Sequence, residues 1–427
     1  MTDAPTATLR VIVTGTDRPG VTGSLIEAVG QVGAQVLDIQ QVAVQGHLTL
    51  ALLLAPGDHA AQLREATSRA ATELGLEVSF ADGVGDNARP RRGRAAVVVL
   101  GSPLEASAVA AVTARISSHG ANIDRIRRLS RYPVTTLELD ISGAQVDALR
   151  TELALVAKSE AIDIAVAPGG LARRGRRLVV MDVDSTLIQQ EVIEMLAAHC
   201  GREAEVAAVT RRAMAGELDF EQSLRARVAA LEGLPASVLH DVRRDILLTP
   251  GARTLVRTLK RLGYTVGLVS GGFIEIVGEL AAELGIHHAR ANQLEILDGR
   301  LTGRVLGSVV DRAGKAAALR EFAGQEGLPL SRTVAIGDGA NDLDMLAAAG
   351  LGIAFNAKPL VRDQAHASVT VPYLDSVLYL LGITREEIEE ADAIDGTPTP
   401  APPVPPGRPT HGGPPGGTGV TPGAAPA

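Results

Sequence analysis

The feature that most restricts the fold of this chain is a series of apolar segments beginning at Arg177. They are RLVVMDVD (177–184), YTVGLVSGG (264–272), RTVAIGDG (332–339) and GLGIAFNA (350–357). Helical segments separate them, and this alternation is typical of a parallel sheet that is covered on both faces. Sheets of this type bind ligands at the carboxyl ends of their strands. We therefore predict an α/β domain at 176–383 with a Rossmann-like parallel sheet and a site at one sheet edge.

Two departures from simple alternation refine this prediction. Residues 189–248 are almost wholly helical in pattern and too long for a simple crossover, so they are predicted to form a helical cap. The segment 294–305 has the pattern of a β-hairpin whose turn is Asp298-Gly299.

The front of the chain contains an internal repeat. The pair Gly33-Ala34 recurs as Gly120-Ala121, a shift of 87 residues, and the same order of strand and helix patterns surrounds each pair. Each copy reads βαββαβ, an α+β ferredoxin-like pattern. We predict one such domain at 1–83 and another at 95–168. Gly, Pro and charged residues mark the linkers at 82–94 and 168–177.

Composition excludes several classes of function. The chain has 427 residues, a formal net charge of −8 and 2% aromatic residues, which disfavours nucleic acid as a partner. One cysteine excludes an intrachain disulfide, and neither a membrane span nor a signal peptide is expected, so we predict a cytoplasmic location. The segment 396–427 holds 11 of the 23 prolines and is predicted to be a disordered Pro/Gly-rich tail.

The most informative cluster is Asp182-Val183-Asp184 at the end of the first apolar segment. In an extended segment the two carboxylates face the same side, where their repulsion is unfavourable unless a cation lies between them. Oxygen ligands of this kind suit Mg²⁺, and a carboxylate pair suits nucleophilic and acid–base catalysis. The alternative is that Asp184 or Ser185 simply caps the next helix.

Further polar residues stand at the ends of later segments. Gly337-Asp338-Gly339-Ala340-Asn341-Asp342 brings two more carboxylates to the same sheet edge. Ser270-Gly271-Gly272 offers a hydroxyl and free N–H groups to an anion, and Lys315 offers a cation to phosphate oxygens. Each of the latter two is uninformative alone, but four such features in this order point to a phosphate site.

In these four motifs residues 177–383 resemble the haloacid dehalogenase (HAD) superfamily of phosphatases. The resemblance implies that Asp182 is the nucleophile that forms an aspartyl-phosphate and that Asp184 is the acid and then the base. It implies Mg²⁺ bound by Asp182, the backbone carbonyl of Asp184 and Asp338, with Asp342 in support. It also implies that Ser270 and Lys315 bind the phosphoryl oxygens and that Gly271 and Asn341 belong to the substrate-binding residues.

The cap segments EVIE (191–194) and AMAGELDFEQSLRARV (213–228) resemble those of HAD enzymes that hydrolyse O-phospho-L-serine, the last step of serine biosynthesis. That substrate carries an ammonium group and a carboxylate beyond its phosphate. Glu191 and Arg227 are the complementary charges, and Arg227 is able to bind a carboxylate with two parallel hydrogen bonds. Met214 and Phe220 are expected to form an apolar wall that excludes water. From chemistry alone, Glu191 and Arg227 are equally well explained as ordinary helix residues.

Both front repeats resemble ACT domains, regulatory modules that commonly bind amino acids. In the first copy Gly20 stands at a strand–helix turn, where a glycine lets a ligand carboxylate approach backbone N–H groups. The resemblance implies feedback regulation with serine as effector and a homodimer. The second copy lacks the matching glycine. The alternative is that both copies serve only as a dimer interface.

Two other functions fit the same residues. One is a HAD phosphatase for a different small phosphate ester or for a phosphoprotein. The other is an amino-acid-sensing protein whose HAD half only binds ligand, although such a protein has no need of an acid–base group at Asp184.

Overall fold

The computed structural model describes residues 7–85, 93–131, 134–173, 175–214, 217–397 and 399. The chain divides into two compact units, Met1–Arg91 and Arg92–Ala427. Apart from its first residues, the predicted tail at 396–427 lies outside the described residues, as does part of the predicted linker at 82–94.

The first unit is a four-stranded antiparallel sheet with two helices. Its elements are β1 (Ala7–Thr16), α1 (Val21–Gln31), β2 (Gln35–Val44), β3 (His47–Ala55), α2 (Ala60–Glu73) and β4 (Glu77–Val84). The strands lie in the order β2-β3-β1-β4. Alternate residues of β1 and β3 are buried together with the apolar faces of the two helices, which gives the unit its own core. The predicted βαββαβ order is present here.

The second repeat has the same order of elements. They are β5 (Ala95–Gly101), α3 (Ala106–Ser118), β6 (Asn122–Ser130), β7 (Thr135–Ser142), α4 (Val146–Glu160) and β8 (Asp163–Pro168). Its strands lie in the order β6-β7-β5-β8. This order matches that of the first unit, because β5, β6, β7 and β8 correspond to β1, β2, β3 and β4.

The rest of the second unit alternates strands and helices. Its elements are β9 (Leu178–Met181), α5 (Val192–His199), α6 (Glu203–Met214), α7 (Phe220–Ala229), α8 (Ser237–Asp245), α9 (Ala252–Arg261), β10 (Thr265–Phe273), α10 (Ile274–Leu284), β11 (His288–Leu297), β12 (Arg300–Leu306), α11 (Arg312–Gln325), β13 (Thr333–Gly337), α12 (Leu343–Ala348), β14 (Leu351–Phe355), α13 (Pro359–Arg362), β15 (Ala367–Val369), α14 (Val377–Leu380) and α15 (Arg385–Ile394).

Strands β10, β9, β13, β14 and β15 pair in parallel in that order, so their carboxyl ends share one edge. Helices α5 to α8 occupy the predicted cap region, and the chain enters and leaves it side by side at an antiparallel bridge between Ile188 and Leu248. The hairpin β11–β12 turns at Asp298-Gly299 as predicted.

An unpredicted feature is that the sheet of the second repeat continues into the parallel sheet. Strand β8 pairs antiparallel with β15 through Ala165 and Ala367, giving one sheet of 11 strands. Buried residues of both parts, among them Val98 and Val179, belong to one hydrophobic cluster. The predicted fold class, an α/β catalytic half preceded by two α+β repeats, is confirmed, while the exact domain boundaries stay predictions.

Candidate active site

The first candidate pair lies in a turn at the carboxyl end of β9. The strand ends at Met181, three residues earlier than the apolar pattern predicts, because the carboxylate of Asp182 accepts a hydrogen bond from the N–H of Val183, 2.8 Å away. Asp182 and Asp184 both have extended backbone angles, and Val183 between them is fully buried. Ser185 then adopts a left-handed φ of 56°, which turns the chain toward the cap.

Lys315 is the centre of charge beneath this turn. It lies on α11 and is 0% exposed. Its Nζ lies 2.7 Å from Oδ2 of Asp182 and 2.7 Å from Oδ1 of Asp342. Burial alone lowers the pKa of Lys315, but these two carboxylates more than reverse that effect and raise it. The lysine therefore stays charged and holds the two carboxylates in fixed positions.

Asp184 has different partners. One carboxylate oxygen accepts a hydrogen bond from the N–H of Val192 at 2.8 Å, and the other accepts one from the hydroxyl of Ser270 at 2.9 Å. The Ser270 hydroxyl itself accepts a hydrogen bond from the N–H of Gly272 at 2.7 Å. Burial raises the pKa of Asp184. This carboxyl group is thus fixed in place and able to hold a proton closer to neutral pH than an ordinary aspartate.

The turn after β13 supplies the remaining acidic groups. Asp338 accepts a hydrogen bond from the hydroxyl of Thr186 at 2.9 Å, and the N–H of Gly339 donates to Asp342 at 3.0 Å. Gly337 has to be a glycine, because a Cβ there would overlap the side chain of Asp342.

One carboxylate oxygen from each of Asp182, Asp338 and Asp342 lies within 4.8 Å of the others. Burial, followed by the charge of Asp342, raises the pKa of Asp182, and burial raises that of Asp338 to about 6. Lys315 supplies one positive charge to this cluster. The remaining negative charge and the hard oxygen donors fit a divalent cation such as Mg²⁺.

These residues lie in or below a cleft of about 570 Å³ between the sheet edge and the cap. Its lining includes eight of the predicted residues: Asp182, Asp184, Glu191, Phe220, Arg227, Gly271, Asp338 and Asn341. Ser270 and Lys315 are hydrogen-bonded to Asp184 and Asp182 of this group from beneath, and Asp342 accepts a hydrogen bond from Gly339, which also lines the cleft. The side chain of Met214 lies outside the described residues, and Gly20 lies in the first unit.

The cap side of the cleft carries the predicted recognition residues. Glu191 accepts a hydrogen bond from the Ser185 hydroxyl at 2.9 Å, and burial together with the charge of Asp184 raises its pKa to about 7. Burial lowers the pKa of Arg227, while the charge of Glu191 opposes that change. The ring of Phe220 lies so close to Gly271 that a Cβ on this glycine would come within 3.0 Å of it. An anion, a cation and an aromatic ring therefore face the acidic centre.

Sequence reasoning missed three site residues. Thr186 is fully buried and orients Asp338, although only its place next to Ser185 could have drawn attention to it. The side-chain amide of Asn292 donates to the carbonyl of Gly271 at 2.7 Å, and its oxygen accepts from Val310 N–H at 2.8 Å. Lys358 lines the cleft shortly after β14, and a lone lysine behind an apolar segment gives no signal in the sequence that it belongs to a site.

Gly20 stands directly before α1 with a left-handed φ of 95°. The backbone at this turn therefore favours glycine, whether or not a ligand binds there. None of the helices in the described part of the chain combines the length and the apolarity needed to cross a bilayer.

Comparison with family models defines the class of each part. Residues 179–347 match the haloacid dehalogenase-like hydrolase model, and residues 7–81 and 94–167 match ACT domain models. The sequence-based resemblance to both families is therefore confirmed.

Relatives that align with nearly the whole chain define its family more narrowly than the domain models do. The phosphoserine phosphatase of Streptomyces coelicolor is 58% identical over 92% of this chain and 96% of its own length. That of Mycobacterium tuberculosis is 52% identical over 90% of this chain and 95% of its own. A crystal structure of a probable phosphoserine phosphatase from Vibrio cholerae, in unliganded form, has 35% identity and a TM-score of 0.53 over 70% of this chain and 88% of that one. The chain therefore belongs to the phosphoserine phosphatase family of haloacid dehalogenase-like hydrolases.

Proposed function

We propose that the chain hydrolyses O-phospho-L-serine to L-serine and phosphate, the last step of serine biosynthesis. The observation that carries this proposal is the arrangement of the cleft. Asp182 and Asp184, held from beneath by Lys315 and Ser270, form its floor, and Glu191 and Arg227 face them from the cap. The family membership supports the same reaction, since relatives that align with nearly the whole chain are phosphoserine phosphatases.

In this proposal the carboxylate of Asp182 attacks phosphorus and the bond to the serine oxygen breaks. Asp184 donates its proton to that oxygen, and the raised pKa of its carboxyl group favours a bound proton at the start. Serine then leaves, and Asp184 takes a proton from a water molecule. The resulting hydroxide attacks phosphorus, the bond to the Asp182 carboxylate breaks, and phosphate is released. Lys315, whose charge already faces Asp182, balances the negative charge of the phosphoryl oxygens.

We propose Mg²⁺ as the metal, bound by Asp182, Asp338 and the backbone carbonyl of Asp184. Asp342, whose Oδ1 is 2.7 Å from Lys315, supports the site mainly through that lysine. When bound, the ion supplies positive charge to the phosphoryl oxygens. Thr186 keeps Asp338 in a ligand-ready orientation through its 2.9 Å hydrogen bond.

The nucleophile is tested with Asp182→Asn, which keeps the size of the side chain but removes its charge. We expect phosphate release from phosphoserine to fall by at least about a thousand-fold, because covalent catalysis is lost. Circular dichroism and the unfolding midpoint serve as controls for folding. Activity near that of the natural chain in a well-folded variant would remove Asp182 from this role.

Carboxylate recognition is tested with Arg227→Ala. We expect KM for phosphoserine to rise by about ten-fold or more, because the variant loses a charged contact to the substrate carboxylate. Hydrolysis of p-nitrophenyl phosphate, which has no carboxylate, is expected to change by less than about two-fold. Equal losses on both substrates would argue for a different phosphate ester as the natural substrate.

Ammonium recognition has a pH signature. The pKa of Glu191 is raised to about 7, so the group is charged above that pH and neutral below it. Acidification from pH 8 to pH 6 should therefore weaken phosphoserine binding, because the substrate ammonium loses its anionic partner. We expect the ratio of kcat/KM between the natural chain and Glu191→Gln to fall by about five-fold over this range. A ratio that does not change with pH would contradict the role of Glu191.

We further propose that the ACT domains bind an amino-acid effector, that serine is this effector, and that the chain forms a homodimer. Gly20 is the candidate contact because it is exposed and stands directly before α1. Calorimetry with serine on the full chain tests binding. Gly20→Ala should weaken serine inhibition and leave turnover without serine within about two-fold, while inhibition identical to that of the natural chain would contradict the site.

A further inference from the structure

Lys358 is a cleft residue to which none of the four phosphatase motifs assigns a role. It follows β14, which lies beside β13 in the parallel sheet, so it reaches the cleft from the same sheet edge as Asp338. Its side chain is exposed, and no ion pair joins it to a carboxylate within the described residues. The ammonium group is thus available to a ligand.

The backbone around Lys358 is firmly held. Its carbonyl accepts hydrogen bonds from the N–H groups of Val361 at 3.0 Å and Arg362 at 3.1 Å. Asn356, two residues earlier, has a left-handed φ of 46° and donates its N–H to Val369 at 2.9 Å. Val361 is 2% exposed and belongs to a hydrophobic core. A fixed backbone with a free, flexible side chain suits a group that contacts a ligand as it arrives.

The charged residues that line the cleft are mostly negative, so an unpaired cation there would favour the binding of an anionic ligand. Its lining carboxylates are Asp182, Asp184, Glu191, Asp219 and Asp338. The described lining contains only two cations, Arg227 on the cap and Lys358 on the sheet side. Lys315 lies beneath the cleft and is already bonded to two carboxylates. A phosphate monoester dianion therefore has to enter a cleft whose lining is mainly negative.

We propose that Lys358 binds the phosphoryl oxygens of the incoming substrate and guides the phosphate toward Asp182. This inference rests on the phosphatase activity proposed above, but it does not depend on serine as the rest of the substrate. Because the contact is made during entry, Lys358 acts on kcat/KM more than on kcat. As a compact charge on a flexible stem, it suits a transient contact with a phosphate.

The test compares Lys358→Gln with Arg362→Gln in the full chain. Arg362 is the matched control, because it is an exposed cation at the end of α13, the short helix that Lys358 directly precedes, but it does not line the cleft. We expect Lys358→Gln to lower kcat/KM by about five-fold at low salt, for both phosphoserine and p-nitrophenyl phosphate, with kcat within about two-fold. The loss should shrink at high salt, Lys358→Arg should restore most of the rate, and Arg362→Gln should match the natural chain.

Three results would overturn the proposal. They are equal behaviour of Lys358→Gln and Arg362→Gln, a loss that does not depend on salt, and a loss restricted to phosphoserine, which would indicate contact with the serine moiety instead. A chain that hydrolyses p-nitrophenyl phosphate with the expected dependence on Lys358, but not phosphoserine, would support the role of Lys358 and refute the proposed substrate.

Discussion

The two ACT repeats have one order of elements but different surroundings. In the first repeat, the face of β1 that the helices leave uncovered carries Arg10, which is exposed, and Ile12, which is half-buried. In the second repeat, the corresponding face of β5 carries Val98 and Leu100, each 1% exposed and part of the catalytic core. Within the described residues, this face therefore holds an exposed and a half-buried side chain in the first repeat and two fully buried side chains in the second.

The last strands of the repeats differ in the same way. Strand β4 has only β1 as a partner among the described strands, whereas β8 lies between β5 and β15. Matching Gly15 of β1 with Gly101 of β5 sets Glu77 and Asp163 in equivalent places, since Glu77 lies opposite Thr14 and Asp163 opposite Leu100. Glu77 is exposed, while Asp163 is 1% exposed.

The buried carboxylate of Asp163 forms hydrogen bonds with residues of the catalytic half. It accepts hydrogen bonds from the hydroxyl of Ser368 at 2.7 Å and from the N–H and hydroxyl of Thr370 at 2.8 and 3.0 Å. Ser368 and Thr370 lie at β15, which follows Lys358 and α13 in the chain. The second repeat is therefore built into the catalytic unit, whereas the first is a compact unit with its own core.

The largest effect is expected from Asp163→Ala. This change removes the buried carboxylate that accepts hydrogen bonds from Ser368 and from the N–H and hydroxyl of Thr370, and it should lower the free energy of unfolding by about 2–3 kcal/mol. Glu77→Ala, at the equivalent place in the first repeat, is the matched control and should change it by less than about 0.5 kcal/mol. Urea denaturation measures both. Similar midpoints for the two variants would contradict the difference between the repeats.

Removal of residues 1–91 is expected to have a smaller effect. Every residue that lines the cleft lies in the second unit, so kcat and KM for phosphoserine should stay within about two-fold of the full chain. Steady-state kinetics in the absence of serine provide the measurement. A truncated chain that folds but has lost turnover would show that the first unit is needed for catalysis itself.

The smallest effect is expected at the surface of the same junction. Lys158 and Asp363 form an ion pair at 3.4 Å, but their side chains are 72% and 54% exposed. Lys158→Ala should therefore cost less than about 0.5 kcal/mol, because solvent screens such pairs. A loss as large as that of Asp163→Ala would mean that the junction depends on this pair and not on the buried carboxylate.

Much of the site was predictable because its residues follow apolar segments at strand ends. The motifs at Asp182, Ser270 and Asp338 occupy neighbouring parallel strands, so the prediction of a shared edge needed only the order of elements. The recognition residues of the cap depended on the family resemblance, since charge and spacing alone left Glu191 and Arg227 open to an ordinary helical role.

Contacts between distant residues were not predictable from local pattern. Thr186 and Asp338 are 152 residues apart, and Asp163 and Thr370 are 207 apart. Nothing in the sequence near a threonine shows which carboxylate it will orient, because that depends on how the strands are ordered in space.

The alternation of buried strands and helices, the repeat and the acidic motifs can all be read from the sequence, because periodicity and strand-end chemistry are local properties. The sequence also contains a trace of the difference between the repeats, since AAVVVLG at 95–101 is a continuous apolar run and LRVIVTG at 9–15 is not. Tertiary structure alone decided that β8 joins β15, that Lys315 lies between two carboxylates and that Lys358 reaches the cleft. Each of these depends on which distant segments meet in the folded chain. For Lys315 the physical reason is that a buried charge needs partners, whereas exposed Lys358 reaches the cleft because β14 lies beside β13.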